Sequence, residues 1–211
     1  MGKILRDRLR RIALSTALAA IGTATTLGAD QTLLLYGDSL MAGLGLAQEH
    51  GFAAQLQQAL GDDVAIVNAS VSGDTSTDGL ARLDWSLSDR PDAVVLELGA
   101  NDMLQGLDVA GMRQNLTAIL ERFSTEGIPV LLMGMKASPG LGREYVRAYD
   151  AAFADLAAQF DVALYPFFLE GVALDPSLNQ ADGMHPNAQG VVTIVTHVLP
   201  AVRELLAQAG P

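Results

Sequence analysis

"LLLYGDSLMAG", residues 33–43, passes from an unbroken apolar run into a glycine, an acid and a hydroxyl, and then into small residues. An apolar run of this length without polar alternation marks a strand covered on both faces, the habit of parallel sheets. Ser39 therefore falls at the carboxyl lip of a buried strand. Two readings of it stand open: a cap on the helix that follows, or a nucleophile.

The pattern recurs along the chain. "TLLLY" (32–36), "VAIVNA" (64–69), "AVVLEL" (93–98), "PVLLMGM" (129–135) and "VALYPFF" (162–168) have strand length and no polar alternation, so all five are expected to be parallel and covered. Helical stretches separate them, at about 50–60 closed by Gly61, 77–87, 108–126 from Asp108 to Gly127, and 143–160, with a last one from near Pro186 to just before Gly210. This βαβα rhythm predicts an α/β fold: a doubly wound sheet with right-handed crossovers and function gathered at the carboxyl ends of its strands.

Half of the 211 residues are hydrophobic, enough for one substantial core. The formal charge of −11 repels phosphate backbones and anionic lipid, so nucleic acid is not an expected partner. Cysteine is absent, which excludes disulfides, thiolate metal sites and a cysteine nucleophile. Residues 1–29 differ from the rest: Lys3, Arg6, Arg8, Arg10 and Arg11 precede the apolar, small-residue run "IALSTALAAIGTATTLGA". They read as a secretory signal peptide, with an uncleaved membrane anchor and an ordinary amphipathic helix as the alternatives; the first reading implies a secreted or periplasmic protein without stable membrane insertion once the leader is removed. The working domain, residues 30–211, then holds 8 basic against 23 acidic residues, a net −15.

Four strand ends carry residues with chemistry. Gly37-Asp38-Ser39-Leu40 follows the first strand, Ser72-Gly73-Asp74 the second and Gly99-Ala100-Asn101-Asp102 the third; Asp182-Gly183-Met184-His185-Pro186 comes at some distance after the fifth. A serine hydroxyl needs a base, and the base works best with a carboxylate fixing its tautomer. Asp182 and His185, with a glycine between them, can form a tight loop in which the carboxylate meets Nδ1 and Nε2 faces outward. The N–H groups of Ser39 and Gly73 and the amide of Asn101 could converge on an oxyanion. Each residue taken alone has an ordinary explanation as a cap or a turn; four such accidents at the ends of one sheet do not. Asp38, Asp74 and Asp102 read as hydrogen-bonding supports for these loops, and Glu97 and Asp92 as structural. His50 and His197 stand apart, and with no H-E-x-x-H or H-x-x-E spacing a catalytic zinc is not expected.

The "GDSL" of 37–40, Gly73 of "SGDTS", the "GAND" of 99–102 and the "DGMHPN" of 182–187 resemble, in order, the four blocks of the SGNH/GDSL hydrolases. The similarity is greatest to the branch of bacterial periplasmic thioesterases, arylesterases and lysophospholipases, and runs over about residues 32–208. It implies a flavodoxin-like three-layer α/β/α sandwich on a five-stranded parallel sheet. It also implies Ser39 as nucleophile, His185 as base, Asp182 as its partner, and an oxyanion hole of Ser39, Gly73 and Asn101. No cofactor and no metal are implied. By the same resemblance "NDMLQG" (101–106) closes over an acyl chain, with Met103, Leu104, Leu107 and Leu141 meeting the substrate. Leu141 stands where such proteins often carry an aromatic residue, which bears on chain-length preference. The expected substrate is a small ester or lipid-like molecule and the expected state a monomer. The rival readings are a carbohydrate O-deacetylase on the same scaffold and a non-catalytic flavodoxin-like binding module.

Overall fold

The computed structural model describes residues 31–210. The leader reading for residues 1–29 lies outside that range. Five strands, β1 (Gln31–Tyr36), β2 (Val64–Asn68), β3 (Ala93–Leu96), β4 (Val130–Met133) and β5 (Ala163–Tyr165), form one parallel sheet in the order β2-β1-β3-β4-β5. All five runs read as strands in the sequence are strands. The central ones are covered as expected: every residue of β3 and β4 is buried, and so is Leu33–Tyr36 of β1. β2 and β5 differ, because as edges they have one neighbour each and remain half-exposed along most of their length.

Among the described residues seven helices connect and cover the strands: α1 (Ser39–Ala42), α2 (Phe52–Leu60), α3 (Ser76–Ser86), α4 (Ala100–Leu104), α5 (Val109–Glu126), α6 (Arg143–Phe160) and α7 (Ala188–Ala209). The packing pairs α2 with α7 on one face of the sheet, and α3 with α5 and α5 with α6 on the other, giving the three-layer sandwich. Their starts follow from local chemistry. Thr75 and Asp78 make a reciprocal capping box at α3, Asp108 accepts from Gly111 N–H at α5, and Asn187 accepts from Gln189 and Gly190 N–H at α7. α7 is long and apolar enough to cross a membrane. Its apolar stripe, Val191, Ile194, Val195, Val198, Val202 and Leu205, is instead buried against the sheet. Each such side chain contributes on the order of 1.5–3 kcal/mol by leaving water.

In this strand order the winding reverses between β1 and β3, and a crevice opens outside their carboxyl ends. The loop after β1 carries Ser39 and the loop after β3 carries Asn101. α7 supports the third contributor, because Gly190 in its first turn lets the helix press on the 178–186 segment: a Cβ there would lie 2.2 Å from the Leu178 carbonyl oxygen and 3.1 Å from Pro186 Cβ. Gly190→Ala is expected to cost roughly 1–3 kcal/mol by overpacking. Urea denaturation measures this directly, and an unchanged midpoint would mean the helix can retreat freely.

Candidate active site

β1 ends at Tyr36, and the chain enters α1 through Gly37 and Asp38. Asp38, rather than Ser39, caps that helix: its Oδ1 accepts the Leu40 N–H at 3.0 Å. Ser39 is the first helical residue, and its Oγ lies 2.9 Å from His185 Nε2. The cap and the hydroxyl of interest are thus two neighbouring residues with separate tasks.

The imidazole comes from the loop before α7. Gly183, at φ 70°, adopts the left-handed conformation that turns the chain back on itself. Asp182 Oδ1 accepts the N–H groups of Met184 at 2.9 Å and His185 at 3.0 Å, and its Oδ2 lies 2.7 Å from His185 Nδ1. The Met184 N–H, then the N–H and ring of His185, hold the Asp182 carboxyl down at about 2. Asp182 is therefore ionised throughout the neutral pH range. An ionised carboxylate only accepts, so the proton sits on Nδ1 and Nε2 presents its lone pair to Ser39 Oγ.

The remaining groups of interest are the N–H groups of Ser39 and Gly73 and the side-chain amide of Asn101. The backbone N–H groups of Ser39 and Gly73 donate to nothing among the described residues. The Gly73 loop is stitched to its neighbours on either side. Val71 N–H donates to Gly37 O at 3.0 Å, and the Asp74 carbonyl accepts from Asn101 Nδ2 at 2.9 Å. Asn101 Nδ2 also donates to Asp38 Oδ2 at 3.0 Å. A carboxylate and a carbonyl lie within its reach, and an unpaired amide there would carry a desolvation cost. Asn101 is thus the tie between three strand-end loops, and it must share one of these hydrogens to serve an oxyanion.

Asp74 and Asp102 act as the sequence suggests. Asp102 accepts the Ser76 N–H at 2.7 Å and its hydroxyl at 2.5 Å. Asp74 pairs with Arg82, which the sequence reading did not single out. From α3 its guanidinium reaches Asp74, the Ala69 carbonyl and the Gly37 carbonyl, and stacks 4.2 Å above the Tyr36 ring. The available signal was its isolation: Arg82 is the one basic residue between positions 51 and 89.

Met103 and Leu104 lie on α4, Leu107 just beyond it, and Leu141 in a short 3-10 turn (Pro139–Leu141) before α6. Leu104, Leu107 and Leu141 are 57, 39 and 38% exposed, on the loops after β3 and β4. Tyr145 OH, donating to Leu107 O at 3.0 Å, holds the start of α6 against the first of these loops. None of the four lines the cavity of about 470 Å³ beside α1, which is walled by Met41, Leu46, Ala53, Ile66 and Asn68 among others.

Burial pushes the Asp38 carboxyl up to about 6, against the lowering pull of the Leu40 N–H. A folded-state value above the unfolded one means stability present below about pH 4 and lost as pH rises through about 6. From a shift of this size the loss is ~3 kcal/mol at most. Asp38→Asn removes that dependence. The melting temperature of the variant minus that of the native protein should therefore grow between pH 4 and pH 7, and a constant difference would contradict this.

Residues 35–191 match the GDSL-like Lipase/Acylhydrolase family. The chain belongs to that family. This GDSL-like acylhydrolase is similar to the Esterase TesA of Pseudomonas aeruginosa, at 43% identity over 202 residues covering 94% of this chain and 100% of the relative. It is also similar to the thioesterase 1/protease 1/lysophospholipase L1 of Escherichia coli K12, at 42% identity over 160 residues, 75% of this chain and 77% of the relative. Among solved structures it resembles the psychrotrophic esterase EstA from Pseudoalteromonas sp., inhibited by monoethylphosphonate. That likeness has a TM-score of 0.79 at 34% identity, over 84% of this chain and 100% of the other. The acylhydrolase is an ester-cleaving serine hydrolase acting on small-molecule ester or lipid substrates.

Proposed function

We propose that the enzyme cleaves carboxylic esters through an acyl-Ser39 intermediate, with His185 as general base and acid and Asp182 as its orienting partner. The observation that carries this is the chain of contacts from Ser39 Oγ to His185 Nε2 at 2.9 Å and from His185 Nδ1 to Asp182 Oδ2 at 2.7 Å. Ser39 Oγ attacks the acyl carbon while Nε2 takes the hydroxyl proton. The carbonyl oxygen becomes an oxyanion held by the N–H groups of Ser39 and Gly73 and by the Asn101 amide. As the tetrahedral species collapses, the imidazolium returns its proton to the departing alcohol or thiol. Water then attacks the acyl-serine, with His185 taking its proton, and Ser39 is released.

The substrates we assign are aryl and acyl esters, thioesters and lysophospholipids, with the acyl chain against Met103, Leu104, Leu107 and Leu141. The names of the relatives and the apolar character of those side chains, three of them exposed, support the assignment. We further propose that the enzyme works outside the cytoplasm after loss of residues 1–29, on the strength of the basic head and apolar run there. An ester and thioester chain-length panel, run beside acetylated sugars on protein lacking residues 1–29, tests the substrate class. Turnover of medium-chain p-nitrophenyl and thioesters well above that of acetylated sugars is expected; the reverse order would favour the carbohydrate O-deacetylase. A phosphonate ester should label Ser39 stoichiometrically, and labelling elsewhere would overturn the nucleophile.

A further inference from the structure

Glu97, at the end of β3, is fully buried, although the sequence offers it only as a charge inside an apolar run. Its carboxyl packs against the turn that presents Ser39. A Cβ on Gly37 would meet Glu97 Oε2 and Glu97 O at 2.8 Å each, so only glycine allows the approach. Glu97 Oε2 accepts the Asp38 N–H at a long 3.3 Å, while Oε1 faces no donor among the described residues. The Asp38 carboxyl belongs to the same residue whose N–H reaches Glu97, and both acids are fully buried side by side.

Two carboxyls in contact and out of water cannot both be ionised without a cation between them. Arg82 does not supply one, since its guanidinium is engaged by Asp74 and by the carbonyls of Ala69 and Gly37. The other titratable groups around the pair are Asp74, His185 and Tyr149, and the Tyr149 hydroxyl donates to Gly99 O at 2.9 Å. One proton must therefore be shared by the pair, and the donors decide where it sits. Asp38 takes the Leu40 N–H on Oδ1 and the Asn101 amide on Oδ2, which favours its ionised form. Glu97 receives one weak N–H, which favours its acid form.

We propose that Glu97 is a positioning residue: as a neutral carboxylic acid it donates a hydrogen bond to the Asp38 carboxylate, which in turn holds the first turn of α1 and the Asn101 amide. Three groups in series thereby fix the nucleophile and the oxyanion donor relative to each other. Burial raises Glu97 well above the carboxylate range, in keeping with this order of protonation. The proposal rests on the roles given above to Ser39 and Asn101.

Glu97→Gln keeps a donor toward Asp38; Glu97→Leu removes it at similar volume. Infrared difference spectra between native protein and Glu97→Gln at pH 7 should contain the C=O stretch of a neutral carboxylic acid, and a difference confined to ionised carboxylate bands would overturn the proposal. In steady-state kinetics Glu97→Gln should retain kcat within about threefold, and Glu97→Leu should lose about tenfold in kcat with KM within about twofold. In an Asn101→Ala background the same Leu substitution should add less than about twofold, because the two residues act through one chain of contacts. A fully multiplicative loss would mean that Glu97 merely fills space, and a kcat loss in Glu97→Gln as large as tenfold would overturn the donor role even if the Leu variant does not fold. The infrared band is independent of turnover, so an active Ser39→Ala protein would refute the catalytic assignment and leave the protonation of Glu97 still tested.

Discussion

Ser39→Ala will lower kcat for an aryl ester by up to about 10⁶, the scale set by removing the serine of a serine hydrolase. The variant should remain folded, for a reason particular to this turn. The helix that begins at Ser39 is capped by the Asp38 side chain, so loss of the hydroxyl removes no helix cap. It removes one side-chain contact, to His185 Nε2. Residual turnover of about 10³–10⁴ over water is expected from the oxyanion donors and substrate binding. Activity assays paired with thermal melts separate the two effects, and a fully active, normally folded variant would end the assignment of Ser39 as nucleophile.

Asn101→Ala will cost on the order of 10²–10³ in kcat, as for the loss of one oxyanion donor. Here the substitution does more than delete a donor, because Nδ2 also joins Asp38 Oδ2 to the Asp74 carbonyl. Two part-buried acceptors lose their partner, which should lower stability by about 1–3 kcal/mol. The signature is a fall in kcat with KM little changed, accompanied by a lower denaturation midpoint. A loss confined to KM would mean that Asn101 binds substrate and does not stabilise the transition state.

Much of this was legible in the sequence, because parallel strands buried on both faces leave unbroken apolar runs. The runs containing "LLLY" and "AVVL" match β1 and β3 to within two residues at either end, and Asp108, Gly127 and Gly61 punctuate their helices as written. Residue types alone offered the pairing of Ser39 with His185; the 182–185 loop before α7 brings them together, since β3 and β4 separate β5 from β1 in the sheet. Three features were not legible. The half-exposure of β2 and β5 depends on which strands become edges, a property of topology that a single apolar run does not carry. The engagement of both Asn101 donors depends on distances across three loops. Glu97 looked like a flank of its strand, and only its burial against Asp38 distinguishes it from a solvated charge.

Ser39 and the imaginary line to its base span 146 positions of chain, from the first strand to the loop that precedes the last helix. The hydroxyl and the base proposed for it thus come from opposite ends of the described residues, so the pair is assembled only by long-range folding and by no local segment of the chain.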